Sequence, residues 1–227
     1  FSRMDSGSLR SKVRSLGPKD WRDRWQLYFH TMPLGRKFTI VPVWESQQFK
    51  ESPLSGRRPL FLDPCGAFGS GAHETTRLMI RMMEPLEGKF DSFLDIGTGT
   101  GILAAAAAKL GACRVVGIDI EPASAAAARR NFKLNGGRDG VFRAEDIQTS
   151  SKRAVYDVVA ANFISADLVT CQKAIMKHVG PKGVLLLSGI SLRNLPVFLR
   201  TFKTPGFRKV RLFRGRSWAG LIYRRAA

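Results

Sequence analysis

Residues 94–101 read LDIGTGTG, a glycine-rich segment that lies between a predicted strand and a predicted helix. The apolar run before it predicts a strand, and the alanine-rich run after it predicts a helix. Glycines in a loop of this kind permit a tight turn and a close approach of the backbone to a ligand. Asp119 ends the next predicted strand, 22 residues after Gly97, where its carboxylate can accept hydrogen bonds from both hydroxyls of a ribose. The glycine loop and Asp119 together predict an adenosine cofactor. The alternative is that the glycines form a structural turn and that Asp119 only caps the helix starting at Pro122.

The spacing of the glycines separates two classes of adenosine cofactor. A dinucleotide site has the pattern Gly-x-Gly-x-x-Gly with the helix N-terminus facing a pyrophosphate, whereas here the third glycine comes one residue early. Asp95 precedes the loop, where a carboxylate would repel phosphate but suits the ammonium group of S-adenosylmethionine. The sequence therefore predicts S-adenosylmethionine as the cofactor. The residues expected to bind it at this loop are Asp95, Gly97, Gly99, Gly101 and Asp119.

Strand-like and helix-like runs alternate over residues 60–190, which is typical of a mainly parallel sheet covered by helices on both faces. Strands are predicted over residues 92–96, 114–118, 140–144, 157–161 and 183–188, and helices over residues 101–110, 122–135, 165–179 and 194–202. Two further strand-like runs, 207–213 and 217–223, are joined by a short Arg-Gly turn and predict a terminal antiparallel hairpin. A dinucleotide-binding domain normally ends in another parallel strand instead. We therefore expect an α/β fold of the Rossmann-like, seven-stranded methyltransferase type.

The region before this sheet is expected to be a short helix and strand extension. Residues 1–58 are interpreted as an N-terminal linker or cap, with a helix over residues 20–30 and a strand over residues 37–43, and residues 59–227 as the methyltransferase domain. Trp21, Trp25, Tyr28 and Phe29 recur at helical spacing, which favours a place in the core over a binding surface. Because the chain starts at Phe1 without a signal-like opening, we interpret it as a mature or trimmed part of a longer protein.

Composition favours a soluble protein of the reducing cytoplasm. Of the 227 residues 44% are hydrophobic, but no apolar run reaches the roughly 18 residues of a membrane span. Cys65, Cys113 and Cys171 are widely spaced, with no histidine at ligand spacing. Neither a disulfide framework nor a metal site is therefore expected.

Positive charge is concentrated towards the C-terminus. The chain has 37 Lys and Arg against 18 Asp and Glu, a net charge of +19, and no acid follows Asp167. A field of this sign attracts polyanions and would suit contact with ribosomal RNA. A solvated basic face would have the same composition, so both interpretations stay open at this point.

Three further segments resemble one known family. Residues 62–76 read LDPCGAFGSGAHETT, residues 159–164 read VAANFI at a predicted strand end, and residues 187–190 read LSGI. Together with the glycine loop they are similar to the ribosomal protein L11 methyltransferase family of bacteria. The pattern Phe-Gly-x-Gly-x-His-x-Thr-Thr is far more specific than the glycine loop. Residues 21–45 and 217–221 share the resemblance, which therefore covers most of the chain.

The resemblance implies a reaction and a set of site residues. The family transfers methyl groups from S-adenosylmethionine to protein amines, namely lysine side chains and the N-terminal α-amine of a large-subunit ribosomal protein. Phe68 and the loop over residues 69–73 would lie over the methionine end of the cofactor. The residues that would contact the cofactor are Thr76, Gly97, Asp119 and Asn162. For catalysis, we expect Asn162 to hold the amine nitrogen in line with the methyl group, so that positioning supplies most of the rate.

The sequence also departs from the family pattern. Glu74 stands where the family usually has proline, and Cys65 and Gly66 replace a different pair. The family carries a separate N-terminal domain that recognises its ribosomal protein, and this chain is expected to start after it. His73 is as easily a structural hydrogen-bonding group as a proton carrier, and we assign it no catalytic role.

Three other functions stay open at the level of sequence. The first is methylation of the lysines of a different protein. The second is methylation of RNA through the basic C-terminal face, although residues 162–165 read NFIS instead of the Asn-Pro-Pro-Tyr motif of base-methylating relatives. The third is RNA binding without catalysis, against which the intact glycine loop argues.

Overall fold

The computed structural model describes residues 27–51, 54, 56–64, 69–150 and 154–226. Their strands form two sheets. In the smaller sheet, β1 (Met32–Leu34) runs antiparallel to β2 (Phe38–Pro42), and β2 runs parallel to β3 (Arg58–Leu62). Every residue of β2 is buried, because this strand lies in the middle of the small sheet.

The larger sheet has seven strands among the described residues, in the order β6-β5-β4-β7-β8-β10-β9. Five of them are parallel, since β4 pairs with β5 and β7, β5 with β6, and β7 with β8. β10 is antiparallel to both β8 and β9. This confirms the predicted α/β class, with a seven-stranded sheet that ends in an antiparallel hairpin. The strands are β4 (Ser92–Ile96), β5 (Arg114–Asp119), β6 (Val141–Ala144), β7 (Tyr156–Asn162), β8 (Val179–Ser191), β9 (Phe207–Arg214) and β10 (Trp218–Arg225).

The α-helices in the described part of the chain are α1 (Glu74–Met83), α2 (Ile102–Lys109), α3 (Pro122–Leu134), α4 (Ser165–Thr170), α5 (Gln172–Met176) and α6 (Leu195–Thr201). Single 3-10 turns occur at Val43–Glu45, Gln48–Glu51 and Glu84–Leu86. The helix predicted over residues 165–179 is two helices, because the backbone leaves the helical conformation at Cys171. None of these helices combines the length and the apolar content needed to cross a membrane.

Besides the 3-10 turns, three elements were not predicted from the sequence, namely β1, β3 and α1. β3 contains Pro59, which has no N–H for a strand ladder, but β3 is an edge strand of the small sheet, where proline is tolerated. α1 begins inside the motif segment 62–76. It is amphipathic, because Arg77 and Arg81 are exposed on one side while the apolar residues of the other side pack against β8 and β10.

Apolar cores cover both faces of the larger sheet. One includes residues of α1, α2 and the small sheet, and the other includes residues of α4, α5 and α6. The alanine runs of α2 and α3 are buried, and these small side chains let both helices lie close to the sheet and to each other. At Gly101, the residue before α2, a Cβ atom would stand 2.8 Å from the Cα of Ala128, so the start of α2 lies against α3 with no room for a side chain.

The N-terminal extension is only partly described. The predicted strand over residues 37–43 is β2, whereas of the predicted helix over residues 20–30 only Leu27 and Tyr28 are helical among the described residues. Trp21 and Trp25 lie outside the described residues. Phe29 is buried and contacts Trp44 edge to face, with 6.2 Å between ring centroids, but Tyr28 is 82% exposed. The expectation that this aromatic stripe belongs to the core is therefore wrong for Tyr28, whose ring points away from the sheet core.

Candidate active site

A cleft of about 530 Å³ opens at the carboxyl ends of the parallel strands. It lies beside β4, whose neighbours β5 and β7 continue the sheet in opposite directions. The strand order of the sheet reverses at such a position, and open α/β sheets bind their ligands there, outside the carboxyl ends of the strands. Four of the predicted site residues line the cleft, namely Gly97, Gly99, Asp119 and Asn162.

The glycine loop is held by the end of β5. The N–H groups of Gly97 and Thr98 both donate to the carbonyl of Ile118, at 2.8 and 2.9 Å. Asp119 closes the arrangement, because its Oδ2 accepts the N–H of Gly99 at 2.9 Å. The carboxylate therefore stands at the cleft with its position fixed by the loop, and its Oδ1 has one backbone donor, the N–H of Glu121, at 3.0 Å.

Gly97 and Gly189 enclose the ring and backbone of Phe163. Both glycines have positive φ, 68° and 87°. A Cβ on Gly97 would overlap the Phe163 ring, and a Cβ on Gly189 would overlap the Phe163 carbonyl. Any side chain at either position would displace Phe163, and with it the adjoining Asn162 at the end of β7.

Asp95 lies behind the loop and is not among the residues that line the cleft. Its side chain is 1% exposed, and its Oδ2 accepts a hydrogen bond from the Thr98 hydroxyl at 2.8 Å. Burial raises the pKa of Asp95 to about 7, against the opposing effect of the hydrogen bond from Thr98. Its contact with the ammonium group of a cofactor stays a prediction, while the bond to Thr98 shows that it stabilises the loop.

The raised pKa of Asp95 predicts a pH-dependent stability. The folded chain holds this proton more tightly than the unfolded chain, where the pKa is about 3.9, so this group lowers stability as the pH rises from about 4 to about 7. Asp95→Asn keeps an acceptor for Thr98 and does not ionise. We expect urea unfolding to show a smaller loss of stability between pH 5 and pH 8 in the variant than in the wild type. An equal loss in both would mean that Asp95 does not titrate in this range.

Three other predicted residues are also absent from the residues described at the cleft wall. Gly101 starts α2, and Thr76 is buried within α1. Phe68 lies outside the described residues. The adjoining loop is tied to the glycine loop, since the Thr100 hydroxyl donates to the carbonyl of Gly69 at 2.6 Å. Contact of Gly101, Thr76 and Phe68 with the cofactor stays a prediction.

A chain of hydrogen bonds orients the side chain of Asn162. Its Nδ2 donates to Thr75 Oγ1 at 3.2 Å, and Thr75 Oγ1 lies 2.8 Å from Nδ1 of His73. His73 Nδ1 also accepts the N–H of Thr75 and caps α1, so this nitrogen acts as the acceptor and the Thr75 hydroxyl donates to it. Asn162 Oδ1 is then the other amide atom, and it is buried without a hydrogen-bond partner among the described residues. An unsatisfied buried acceptor at a cleft indicates a place for a ligand donor.

The start of α1 is tied to the terminal hairpin. The carboxylate of Glu74 accepts the N–H groups of Arg216 and Ser217, the latter at 3.0 Å. Beside it, the ring of His73 contacts the ring of Trp218 edge to face, with 5.3 Å between centroids. A proline at position 74, which the family resemblance leads one to expect, would offer no side-chain acceptor for these N–H groups, so Glu74 joins the hairpin to the site in this chain.

The cleft is acidic although the chain is strongly basic. No Lys, Arg or His occurs among its described lining residues. Five carboxylates line it, from Asp119, Glu121, Glu145, Asp146 and Asp167. The field of such a lining favours a cationic ligand. Glu145 and Asp146 follow β6, just as Asp119 ends β5. A search for acidic residues at the end of every predicted strand would therefore have found them in the sequence.

A seven-stranded sheet of this order, with a glycine loop after β4 and a carboxylate at the end of β5, defines the class I methyltransferases, which take their methyl group from S-adenosylmethionine. Comparison with known proteins gives the family. The chain belongs to the Ribosomal protein L11 methyltransferase (PrmA) family, whose sequence profile matches residues 2–226. The resemblance carried by residues 62–76, 159–164 and 187–190 is thereby confirmed.

Individual relatives match over most of the chain. The Ribosomal protein L11 methyltransferase of Geobacter metallireducens is 38% identical over 221 residues, which cover 96% of this chain and 71% of the relative. That of Lactobacillus johnsonii is 34% identical over 224 residues, covering 98% and 69%. The crystal structure of the ribosomal protein L11 methylase from Lactobacillus delbrueckii subsp. bulgaricus is 32% identical with a TM-score of 0.78, covering 88% of this chain and all of that one.

Solved structures of lower identity share the fold alone. The N-methyltransferase NodS of Bradyrhizobium japonicum, in complex with S-adenosyl-L-homocysteine, is 16% identical with a TM-score of 0.57 and covers 69% of this chain and 90% of its own. An RNA methyltransferase from Salinibacter ruber is 18% identical with a TM-score of 0.51, covering 65% and 90%. The architecture therefore does not select the methyl acceptor.

Proposed function

We propose that this enzyme methylates amines of a protein, lysine side chains or an N-terminal α-amine, and that its substrate is ribosomal protein L11. The observation that carries the proposal is the buried Asn162 Oδ1, an acceptor without a partner among the described residues, at the wall of an acidic cleft. The names of the relatives, which are 34–38% identical in the two cases above, support the choice of substrate. The free thiols of Cys113 and Cys171 suit a reducing cytoplasm, where we place the enzyme.

The cleft fits S-adenosylmethionine in charge and in hydrogen bonding. Asp119 would accept the ribose hydroxyls, and Gly97 and Gly99 line the cleft beside it. The lining carboxylates attract a ligand whose sulfonium and ammonium groups are both positive. Bound there, the cofactor supplies a methyl group that is open to attack by a nucleophile. On the family resemblance alone, Thr76 is assigned as a cofactor contact and Phe68 is assigned to the methionine end of the cofactor.

The amine must reach the site without its proton. A free lysine amine has a pKa of about 10.4, and burial beside a positive charge lowers it, so the neutral form becomes accessible near pH 7. Asn162 Oδ1 accepts one N–H of this neutral amine. Thr75 holds the other end of the same amide through Nδ2, and Asn162 is one of the residues that line the cleft. Since Asn162 and Thr75 fix the direction of the nitrogen lone pair, positioning accounts for most of the rate and no strong base is needed.

Transfer of labelled methyl groups tests the proposed function. We expect the enzyme and radiolabelled S-adenosylmethionine to label undermethylated ribosomal proteins, and the label to be released by protease and not by ribonuclease. Mass spectrometry should locate it on amines of ribosomal protein L11. Label on another protein would correct the substrate, and label released by ribonuclease would replace protein methylation by RNA methylation.

Methylation of RNA is the second candidate, because exposed cations lie at the hairpin next to the site. Two observations weigh against it. The carboxylates that line the cleft would repel phosphates, and residues 162–165 do not have the motif of base-methylating relatives.

A further inference from the structure

The free edge of the larger sheet is strongly basic. β9 is the last strand in the sheet order, and within the described ranges no strand pairs with its outer side. Exposed cations lie along this strand, in the turn after it and on the adjoining α1. We call the following six residues the basic edge: Arg81, Arg208, Lys209, Arg211, Arg214 and Arg216.

The charge of the basic edge is not neutralised by acids of the described residues. The described residues form four ion pairs, and none of these pairs involves a residue of the basic edge. No acid follows Asp167 in the sequence. Glu74 lies at the turn, but its carboxylate accepts the backbone N–H groups of Arg216 and Ser217. The six cations therefore produce a continuous positive field at one side of the protein.

The strand presents its cations on both faces of the sheet. Arg211 pairs with Ile222, whereas Lys209 pairs with Tyr223, so Val210 between them is bulged out of the ladder. Because of this bulge, Lys209 and Arg211 point to opposite faces although they are two residues apart. Such an edge can contact a polyanion from two sides.

An aromatic ring supports two of the guanidinium groups. Arg211 and Arg81 lie over the ring of Phe213, with 4.7 and 6.0 Å from Cζ to the ring centroid. The ring orders the two side chains, while both residues stay exposed. Arginines held in this way lose less conformational freedom when they bind phosphate.

The basic edge ends beside the active site but is electrically distinct from it. Its turn is bonded to Glu74, and the next residue of the hairpin, Trp218, contacts His73. The side chain of His73 is hydrogen-bonded to Thr75, and the hydroxyl of Thr75 is hydrogen-bonded to Asn162. The cleft itself is lined by carboxylates. A polyanion is therefore attracted to the edge and repelled from the cleft.

We propose that the basic edge is a binding surface for RNA, and that this RNA is a docking partner and not the methyl acceptor. A strongly basic enzyme would repel a basic ribosomal protein in free solution, and RNA bound at the edge would remove this repulsion next to the cleft. This last step rests on the proposed function, whereas the binding of RNA does not.

Fluorescence anisotropy of a labelled 30-nucleotide RNA hairpin, titrated with the full chain in the absence of a methyl donor, tests the proposal. We expect the triple variant Arg208→Gln, Lys209→Gln and Arg214→Gln to raise the Kd about 10-fold or more at 100 mM KCl. It should also reduce the slope of log K against log salt by about 2–3, which is the loss expected for three phosphate contacts.

A second triple variant provides the matched control. Arg130→Gln, Lys133→Gln and Arg138→Gln remove the same charge from exposed positions in and after α3, at the opposite end of the sheet. Circular dichroism and binding of S-adenosylmethionine should be unchanged in both variants. Equal weakening by the two variants would overturn the proposal, as would tighter binding of phosphatidylserine vesicles or of polyglutamate than of the RNA. Since no methyl transfer is measured, failure here would leave the proposed function untouched.

Discussion

Replacing Asn162 by alanine is expected to lower kcat about 10²-fold, the usual effect of removing one positioned hydrogen-bonding group from an active site. The Oδ1 of Asn162 is buried without a partner in the described structure and is the acceptor that the substrate amine would meet. The dissociation constant of S-adenosylmethionine, measured by calorimetry, should change less than about 3-fold, because Gly97, Gly99 and Asp119 remain at the cleft.

Variants of Thr75 provide the control for this prediction. Thr75→Val removes the hydroxyl that accepts from Asn162 and donates to His73, so the amide of Asn162 loses its fixed direction. Thr75→Ser keeps the hydroxyl. We expect an intermediate loss of kcat in the valine variant and little loss in the serine variant. If Asn162→Ala weakened cofactor binding as much as it lowered kcat, Asn162 would be a cofactor contact and not the group that positions the amine.

Replacing Gly101 by alanine is expected to lower the free energy of unfolding by about 2–4 kcal/mol. Gly101 has φ of 78°, a conformation that a residue with a Cβ adopts only with strain. The new Cβ would stand 2.8 Å from the Cα and 3.0 Å from the carbonyl oxygen of Ala128. Backbone atoms of a helix cannot move aside as a flexible side chain can, so α2 and α3 would have to separate. Urea unfolding measures the loss.

Gly136 gives the matched control for backbone strain. Its φ is 81°, and no atom lies within 4 Å of the position that a Cβ would take. Gly136→Ala should therefore cost only about 1–2 kcal/mol. Equal losses in the two variants would mean that the contact with Ala128 adds nothing. Normal stability of Gly101→Ala with lost cofactor binding would restore the role that the sequence predicts for Gly101.

The local pattern of apolar and polar residues was sufficient to predict most helices and strands of the fold. The strand predicted over residues 92–96 is β4 without change, and the terminal hairpin differs from its prediction only at the ends. These elements have clear boundaries, because glycine, proline or charged residues interrupt their apolar runs. α1 was missed although it is amphipathic, with Arg77 and Arg81 exposed opposite a buried apolar side, because its first turn lies in the segment 62–76, which was interpreted only as a motif.

The candidate site was predictable where position along a strand decides it. Gly97, Asp119 and Asn162 meet because the carboxyl ends of parallel strands share one edge of the sheet. The direction in which each side chain points could not be predicted from the motif. Adjacent residues of a strand or helix point different ways, so the motif alone could not tell that Thr75, and not Thr76, bonds to Asn162, or that Asp95 bonds to Thr98 behind the loop.

The acidic lining of the cleft has a consequence for turnover. Methyl transfer converts a positively charged sulfonium into a neutral thioether, so the spent donor carries one positive charge less than the fresh one. The five carboxylates that attract the donor therefore hold the by-product less tightly. Exchange of by-product for donor is then favoured by charge alone, and we expect the enzyme to be only weakly inhibited by its own by-product.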